Sequence, residues 1–386
     1  MKGRPARVFF VLAATAAAFA AAASDRFVPA DPHFVVANVR QATPDAELRG
    51  LIEDWRVAPG DAATVALARA FLDRARTLRE PVYFGRAESV LAAAARRPGA
   101  SFETRRLWAE TLQSRHEFPA AERLLDGILR QSPLDAGART QRASIRLVRG
   151  DFAGARADCA LLMTSGASRA VALACLAESL AGMGHLEQAR ALLDAYPLDP
   201  SEPAVVRAYL LTVRAELAER ASATDRAVAD YGAALSLAPL DDSIRASLAD
   251  ALVTRGEPAE ADALLRVDRP SLALVVRRAG CAGGTERARL HALASSWLEL
   301  EAARGDALHN REAAMLALQE GDPVRALAAA EKNFDSQKEL PDVRVLARAT
   351  IAVGDPAARA RLAEWLRTTG FADAVTEEIL GARRGG

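Results

Sequence analysis

Small apolar residues recur along the chain at a spacing that predicts pairs of packed α-helices. In the clearest stretch, an alanine is followed after 12 residues by a second small residue, and steps of 4, 3 and 5 then lead to two apolar residues and a proline. The stretch consists of Ala215, Ala227, Tyr231, Ala234 and Pro239, and an upstream copy consists of Ala109, Ala121, Leu125, Ile128 and Pro133. Residues three or four apart share one face of a helix, and a proline ends the helix before it. The spacing therefore predicts a helical hairpin whose backbones approach closely at the small residues.

The hairpin recurs with a period close to 34 residues. Its leading alanines are separated by 34, 34, 38, 34, 65 and 33 residues, and a glycine stands seven residues after most of them. The alanines are Ala109, Ala143, Ala177, Ala215, Ala249, Ala314 and Ala347, and the glycines are Gly150, Gly184, Gly256, Gly321 and Gly354. Glycine suits a helix end because it accepts a left-handed backbone. The gap of 65 predicts two repeats, the inner one degenerate, and Arg359 weakens the pattern in the last repeat because a small residue is expected there.

This spacing and period resemble the tetratricopeptide repeat (TPR), a helical hairpin of 34 residues. The resemblance implies an all-α, right-handed superhelical solenoid of about seven to eight TPR-like hairpins, whose first helices line a concave groove for partner peptides. The stretches Leu112–Phe118 and Ala157–Cys159 also resemble bacterial periplasmic and envelope TPR proteins. The alternative is another array of antiparallel helical hairpins that lacks this groove.

The pattern divides the chain into five regions. They are a signal peptide (1–23), an extended arm with a first helix (24–60), regular repeats (61–267), a degenerate hairpin (268–306), and C-terminal repeats with a capping helix (307–386). Three basic residues precede an apolar run from Val8 to Ala23 that ends in an A-x-A site, which is typical of a cleaved secretory signal. The run is shorter than the roughly 20 residues that span a bilayer. The sequence thus predicts a periplasmic or secreted protein without stable membrane insertion, and a retained anchor is the alternative.

Charge and histidine spacing exclude several classes of function. Lys+Arg and Asp+Glu are balanced at 50 each, whereas a general nucleic-acid binder needs a basic excess. The five histidines have no metal-ligand spacing. Hard cations need oxygens at about 2.0–2.6 Å, and facing helices lie about 8–10 Å apart. We therefore expect no nucleic-acid partner, no metal site and no cofactor.

The resemblance also implies which side chains face the groove. In TPR proteins the residue after the leading alanine does so, and four of the five residues that follow the leading alanines from Ala109 to Ala249 are acidic: Glu110, Ser144, Glu178, Glu216 and Asp250. Further side chains expected on the same face include Arg106, Gln113, Tyr209 and Glu219. The set of Lys, Arg and Asn that clamps a C-terminal carboxylate in some TPR proteins is absent. The expectation is an acidic groove for a basic or amphipathic peptide, and the alternative is a solvated face paired with arginines, worth about 0–1 kcal/mol per pair.

The three cysteines have different expected roles. Cys159 and Cys175 lie about equally far from the turn near Ser165 and Gly166, so antiparallel helices would place them at similar height. In an oxidising compartment this predicts a disulfide, and two buried thiols are the alternative. Cys281 stands in a glycine-rich stretch, and the candidate base, His291, is ten residues on and expected on the next helix, so Cys281 is a weak candidate for a nucleophile.

These features favour a non-catalytic scaffold or adaptor of the bacterial cell envelope that binds an unidentified partner protein or peptide. Three alternatives remain open. The protein could be a self-assembling structural array, an accessory subunit of an envelope enzyme complex, or a chain whose own arm, Phe34–Val39, occupies the groove. An enzyme would need clustered titratable groups in a pocket, and the sequence shows no such cluster.

Overall fold

A computed structural model describes residues 46–78, 82–303 and 308–381. The predicted signal peptide and the predicted arm, including Phe34–Val39, lie outside the described residues. The described residues from Glu47 onward belong to one compact unit.

The described residues form 20 α-helices. The helices are α1 (Ala46–Val57), α2 (Asp61–Thr77), α3 (Val82–Ala94), α4 (Phe102–Ser114), α5 (Phe118–Gln131), α6 (Ala136–Arg149), α7 (Phe152–Leu162), α8 (Arg169–Gly182), α9 (Leu186–Asp194), α10 (Ala204–Arg220), α11 (Thr224–Leu237), α12 (Asp242–Arg255), α13 (Pro258–Leu264), α14 (Leu272–Cys281), α15 (Gly284–Ala303), α16 (Asn310–Gln319), α17 (Pro323–Phe334), α18 (Leu340–Val353), α19 (Pro356–Thr369) and α20 (Ala374–Ile379).

Consecutive helices pack as nine pairs, from α2 with α3 to α18 with α19, and α20 then packs against α18. In each pair we call the even-numbered helix the first helix. The predicted all-α solenoid of helical hairpins is confirmed, with one pair more than the upper end of the predicted number. The irregular pair is α14 with α15, which occupies the 65-residue gap in the alanine pattern.

The core follows the alanine spacing. The seven leading alanines are at most 1% exposed, and their partners twelve residues on are fully buried from Ala121 to Ala326. Close approach of two backbones at alanine is what makes the pairs tight. In the last pair the buried small residue is Ala358, whereas Arg359 is exposed, so the helix is shifted by one residue relative to the pattern.

Capping residues begin and end the helices at the turns between them, as α6 shows. At α6, the side chain of Asp135 accepts a hydrogen bond from the backbone N–H of Ala138 at 2.8 Å and so satisfies one free donor of the first turn. The same helix ends at Gly150, whose φ of 78° is left-handed. These caps fix the chain direction into the second helix, α7.

The C-terminal pairs pack against the middle pairs of the solenoid. The backbone N–H of Lys338, in the turn between α17 and α18, donates to the carbonyl of Val148 on α6 at 2.6 Å. A Cβ on Gly184 would lie 2.5 Å from the backbone oxygen of Gly370, so the two turns approach as closely as glycine allows. Phe371 packs beside Phe152, with 6.0 Å between the ring centroids. We call this set of contacts the closure contact.

Arg344 is the ionic centre of the closure contact. From α18 its guanidinium donates to Glu219 on α10 at 3.0 Å and to both carboxylate oxygens of Asp373 at 2.9 and 3.0 Å. The Asp373 and Arg344 side chains are almost fully buried, which makes both hydrogen bonds and charge pairing strong there. Arg220, also on α10, stacks over the Phe371 ring at 4.1 Å.

Across the three described ranges, no helix is both long enough and apolar enough to cross a membrane.

Candidate binding chamber

The closure contact leaves a cavity of about 810 Å³ between the C-terminal and middle pairs. Its walls are first helices α6, α8, α10, α12, α14 and α16, together with the turn that leads into α18. We call this cavity the chamber. Its volume falls in the range of about 300–1,000 Å³ that is usual for ligand sites.

The predicted groove residues divide among three depressions. Ser144, Glu178, Tyr209 and Glu216 line the chamber. Glu219 and Asp250 line an adjoining cavity of about 80 Å³, which Glu216 also reaches. Arg106 and Glu110 line a separate depression of about 400 Å³ towards the N-terminal pairs. Gln113 donates to the Ser144 hydroxyl at 3.4 Å.

The structure places the predicted groove residues in more than one depression, and the acidic groove stays a prediction. The C-terminal pairs lie over the middle of the concave face, and they bring basic side chains into the chamber. Arg311 and Lys338 line it together with Arg220 and Arg277. The groove residues are predicted from the first helices of neighbouring repeats, whereas Arg311 and Lys338 come from repeats farther along the chain.

At the N-terminal end, the carboxylates are paired as the alternative interpretation predicts. Glu110 forms an ion pair with Arg76, and Arg106 pairs with Asp135 at 3.2 Å. The Glu110 side chain is 30% exposed, and Arg76 is 52% exposed, so solvent screens this pair. These residues form a largely neutral, solvated surface.

Glu178 and Glu216 form the acidic centre of the chamber. They lie on neighbouring first helices, α8 and α10, and the Tyr209 hydroxyl donates to Glu178. Burial raises the pKa of Glu178 to about 7, opposed by the Tyr209 hydrogen bond. Burial and the nearby Glu178 carboxyl raise the pKa of Glu216 to about 8. Within the described residues, neither carboxylate has an arginine or lysine within ion-pair distance.

The basic side chains of the chamber wall already have partners. Arg277 donates to Asp250 at 2.9 Å, and Arg311 donates to Glu339 at 2.8 Å. The Lys338 ammonium donates to the Phe334 carbonyl at 2.7 Å. Each of these three cations therefore has a hydrogen-bond partner within the protein.

The predicted disulfide pair lies beside the chamber. The structure joins Cys159 on α7 to Cys175 on α8 in a disulfide, with 5.5 Å between their Cα atoms. Next to Cys159, the carboxylate of Asp158 accepts hydrogen bonds from three arginines of α6. The oxidation state in the cell remains a prediction that a thiol count tests.

Cys281 is the last residue of α14, and it is free and half-buried. Burial raises the pKa of its thiol, and nearby Asp262 and Asp250 act in the same direction. This shift reduces the thiolate fraction, whereas a catalytic cysteine needs it increased. In the part of the chain that the structure describes, no group of three or more His, Cys, Asp or Glu side chains is placed to hold a metal ion.

Sequence reasoning missed the chamber residues that the C-terminal pairs supply. Glu312 and Arg311 on α16, and Glu339 before α18, line the chamber together with Glu178 and Glu216. They come from repeats far apart in the sequence, and no spacing signal joins them.

Comparison with solved structures shows the same fold. The chain is similar to a chain of the APC/C hetero-tetramer Cut9–Hcn1, with a TM-score of 0.51, 14% identity, and coverage of 88% of this chain and 67% of that chain. It is also similar to a tetratricopeptide repeat protein from Parabacteroides merdae ATCC 43184, with a TM-score of 0.40, 14% identity, and coverage of 79% and 99%.

A third similar structure is the human IFIT1 dimer with PPP-AAAA, with a TM-score of 0.46, 12% identity, and coverage of 87% and 84%. No protein-family model and no curated protein matches the chain. Together with the repeat geometry, the likeness to the Cut9–Hcn1 chain identifies a TPR-like solenoid. At these identities the likeness concerns the fold alone.

Proposed function

We propose that this protein is a non-catalytic scaffold of the bacterial cell envelope that binds a basic or amphipathic segment of a partner protein on its concave face. The observation that carries the proposal is the pair Glu178 and Glu216. Both carboxylates lie on neighbouring first helices, line the chamber, and lack an ion-pair partner among the described residues. Charge complementarity of this kind gives specificity and fast association.

Two observations support the envelope as the compartment. The apolar run Val8–Ala23 with its A-x-A ending has the form of a cleaved secretory signal. The geometry of Cys159 and Cys175 permits a disulfide, with Cα atoms 5.5 Å apart, and such bonds persist in oxidising compartments. Both features fit export to the periplasm.

Crosslinked affinity capture from an envelope extract tests the proposal. The bait is the chain from Ser24 onward, compared with a variant that carries Glu178→Gln and Glu216→Gln. These changes keep the side-chain shape and remove the charge. The matched control is Glu187→Gln on α9, whose side chain is 83% exposed and lies on a second helix.

The proposal predicts a partner that the native chain and the control capture and the double variant loses. A partner retained equally by all three baits would move the binding site away from the chamber. Capture of the chain by itself, with concentration-dependent sedimentation, would replace the scaffold with a self-assembling array. Capture of an enzyme complex would identify an accessory subunit.

A further inference from the structure

One histidine of the solenoid occupies a backbone position that favours glycine. His116 stands seven residues after the leading alanine Ala109, where five later repeats carry glycine. Its φ of 59° is left-handed, and it is one of two residues other than glycine with a positive φ in the described ranges. This conformation costs a residue with a Cβ about 1–2 kcal/mol. Such strain directs attention to what the imidazole contacts.

His116 contacts the turn between α17 and α18. Its Nδ1 atom lies 3.3 Å from the side-chain Nε2 of Gln337, which is 221 residues away in the chain. Its ring stacks on Phe118, with 5.5 Å between the ring centroids. Gln337 directly precedes Lys338, whose backbone N–H donates to the Val148 carbonyl. The closure contact therefore extends to the turn between α4 and α5.

A chain of buried hydrogen bonds fixes which atom donates to His116. One carboxylate oxygen of Asp342 accepts from Arg311 at 2.5 Å and from Nδ2 of Asn333 at 2.7 Å. The amide oxygen of Asn333 accepts in turn from Nε2 of Gln337 at 3.2 Å. Both amide side chains are buried. Rotating either amide would bring two oxygens together, so the Gln337 atom that faces His116 is a donor.

This hydrogen bond requires a neutral imidazole. Because Nδ1 of His116 accepts from Gln337, the ring carries its N–H at Nε2. An imidazolium would have an N–H at both nitrogens, and two donors would face each other. Burial lowers the pKa of His116, and nearby groups of both signs act on it. They are the basic residues His309 and Arg311, which lower the pKa further, and the acidic residues Asp342 and Glu312, which oppose them.

We propose that His116 is a pH-sensitive latch whose protonation releases the turn between α17 and α18 and opens that side of the chamber. Lys338 and Glu339 of this turn line the chamber. The latch belongs to the chain itself and does not depend on the partner protein proposed above.

The direction of the pH dependence follows from the two forms of His116. In the open form the exposed imidazole returns to the ordinary pKa of 6.5, whereas burial keeps its pKa lower in the closed form. The open form therefore binds more protons. Closure is at full strength above about pH 6.5 and weakens as the pH falls, by at most about tenfold in the equilibrium for each pH unit.

Two measurements on the full chain test the latch. Nuclear magnetic resonance of histidine-labelled protein gives the tautomer and the pKa of His116, whose signal is assigned by its absence from His116→Asn. Hydrogen exchange of the Lys338 backbone amide reports opening, because this N–H donates to Val148 in the closed form. Expressing the exchange as a protection factor removes the intrinsic effect of pH, and the series runs from about pH 5 to about pH 8.

His116→Asn separates the charge of the latch from its hydrogen bond. Asparagine accepts a left-handed backbone, and its Oδ1 is attached at the same position of the side chain as Nδ1 of histidine. It can therefore accept from Gln337 but does not titrate. His185→Asn is the matched control, because His185 is exposed in the turn between α8 and α9.

The native chain should show neutral His116 with its proton on Nε2 at about pH 7. In the native chain and in His185→Asn, protection of the Lys338 amide should fall as the pH drops below about 6.5. In His116→Asn it should not change with pH. A charged His116 or a proton on Nδ1 at about pH 7 would overturn the proposal, as would equal pH dependence in the native chain and in folded His116→Asn.

Discussion

Loss of the Asp158 side chain on α7 should destabilise the solenoid at the contact between α6 and α7. Its side chain is 2% exposed, and its two oxygens accept four hydrogen bonds from Arg139, Arg142 and Arg146 on α6, at 2.6 to 2.9 Å. The three cations therefore converge on one buried anion between the two helices. Replacement by alanine removes that anion and leaves the cations in place.

The structure indicates how much this replacement should cost. Arg142 keeps Asp126 and Arg146 keeps Glu122, but Arg139 is left with a single carbonyl partner while its side chain is 6% exposed. Breaking a buried ion pair by removing one partner costs about 3–5 kcal/mol. We expect Asp158→Ala to lower the free energy of unfolding by that amount.

Asp126→Asn is the matched control, because Asp126 binds the same Arg142 at 2.6 Å but is 35% exposed. A surface pair contributes about 0–1 kcal/mol. Urea denaturation followed by circular dichroism measures both variants, and hydrogen exchange locates the loss in α6 and α7. If the two variants lose equal stability, or the loss lies outside these helices, the reasoning about the buried anion is refuted.

Three further predictions concern the closure contact, the chamber carboxylates and the disulfide. Gly184→Ala should destabilise the protein more than Gly256→Ala. Both glycines have a left-handed φ, 84° and 90°, so alanine costs about 1–2 kcal/mol at either position, but only at Gly184 would the added Cβ meet backbone atoms. Equal losses of unfolding free energy in urea denaturation would exclude the closure contact. Stability from protonated Glu178 and Glu216 is present below the ordinary pKa of 4.5 and lost as the pH rises through about 7 to 8. Unfolding free energies at about pH 5 and about pH 9 should thus differ less in the double glutamine variant than in the native chain; an unchanged difference would contradict the raised pKa values of these groups. Thiol titration of the oxidised, denatured mature chain should find one reactive cysteine, Cys281, and three after reduction; equal counts would exclude the disulfide.

The helix pairs were predictable because their signals are local. The distance from Ala215 to Ala227 reflects packing within one hairpin, and both residues are fully buried. The same holds for the glycine after each first helix, since its left-handed backbone depends on the turn alone. In the last pair the buried small residue is Ala358, one position before the position that the alanine spacing predicts. The sequence shows only that Arg359 does not fit the spacing.

The chamber was not predictable, because it depends on how the superhelix brings distant repeats together. Arg344 and Glu219 are 125 residues apart in the chain and meet at 3.0 Å. A change in the angle between successive pairs would separate them without altering any local spacing. For this reason the groove residues Glu178 and Glu216 were identified, but Glu312, which lines the same chamber, was not.

We infer that the chamber on the concave face is the surface that binds other molecules. Photo-crosslinking in cells tests it, with a photoreactive amino acid at Ser243, which is exposed and lines the chamber, or at Arg156, which is exposed on second helix α7. We expect a partner adduct from Ser243 and none from Arg156. An adduct from Arg156 alone would contradict it and place the binding surface on the second helices.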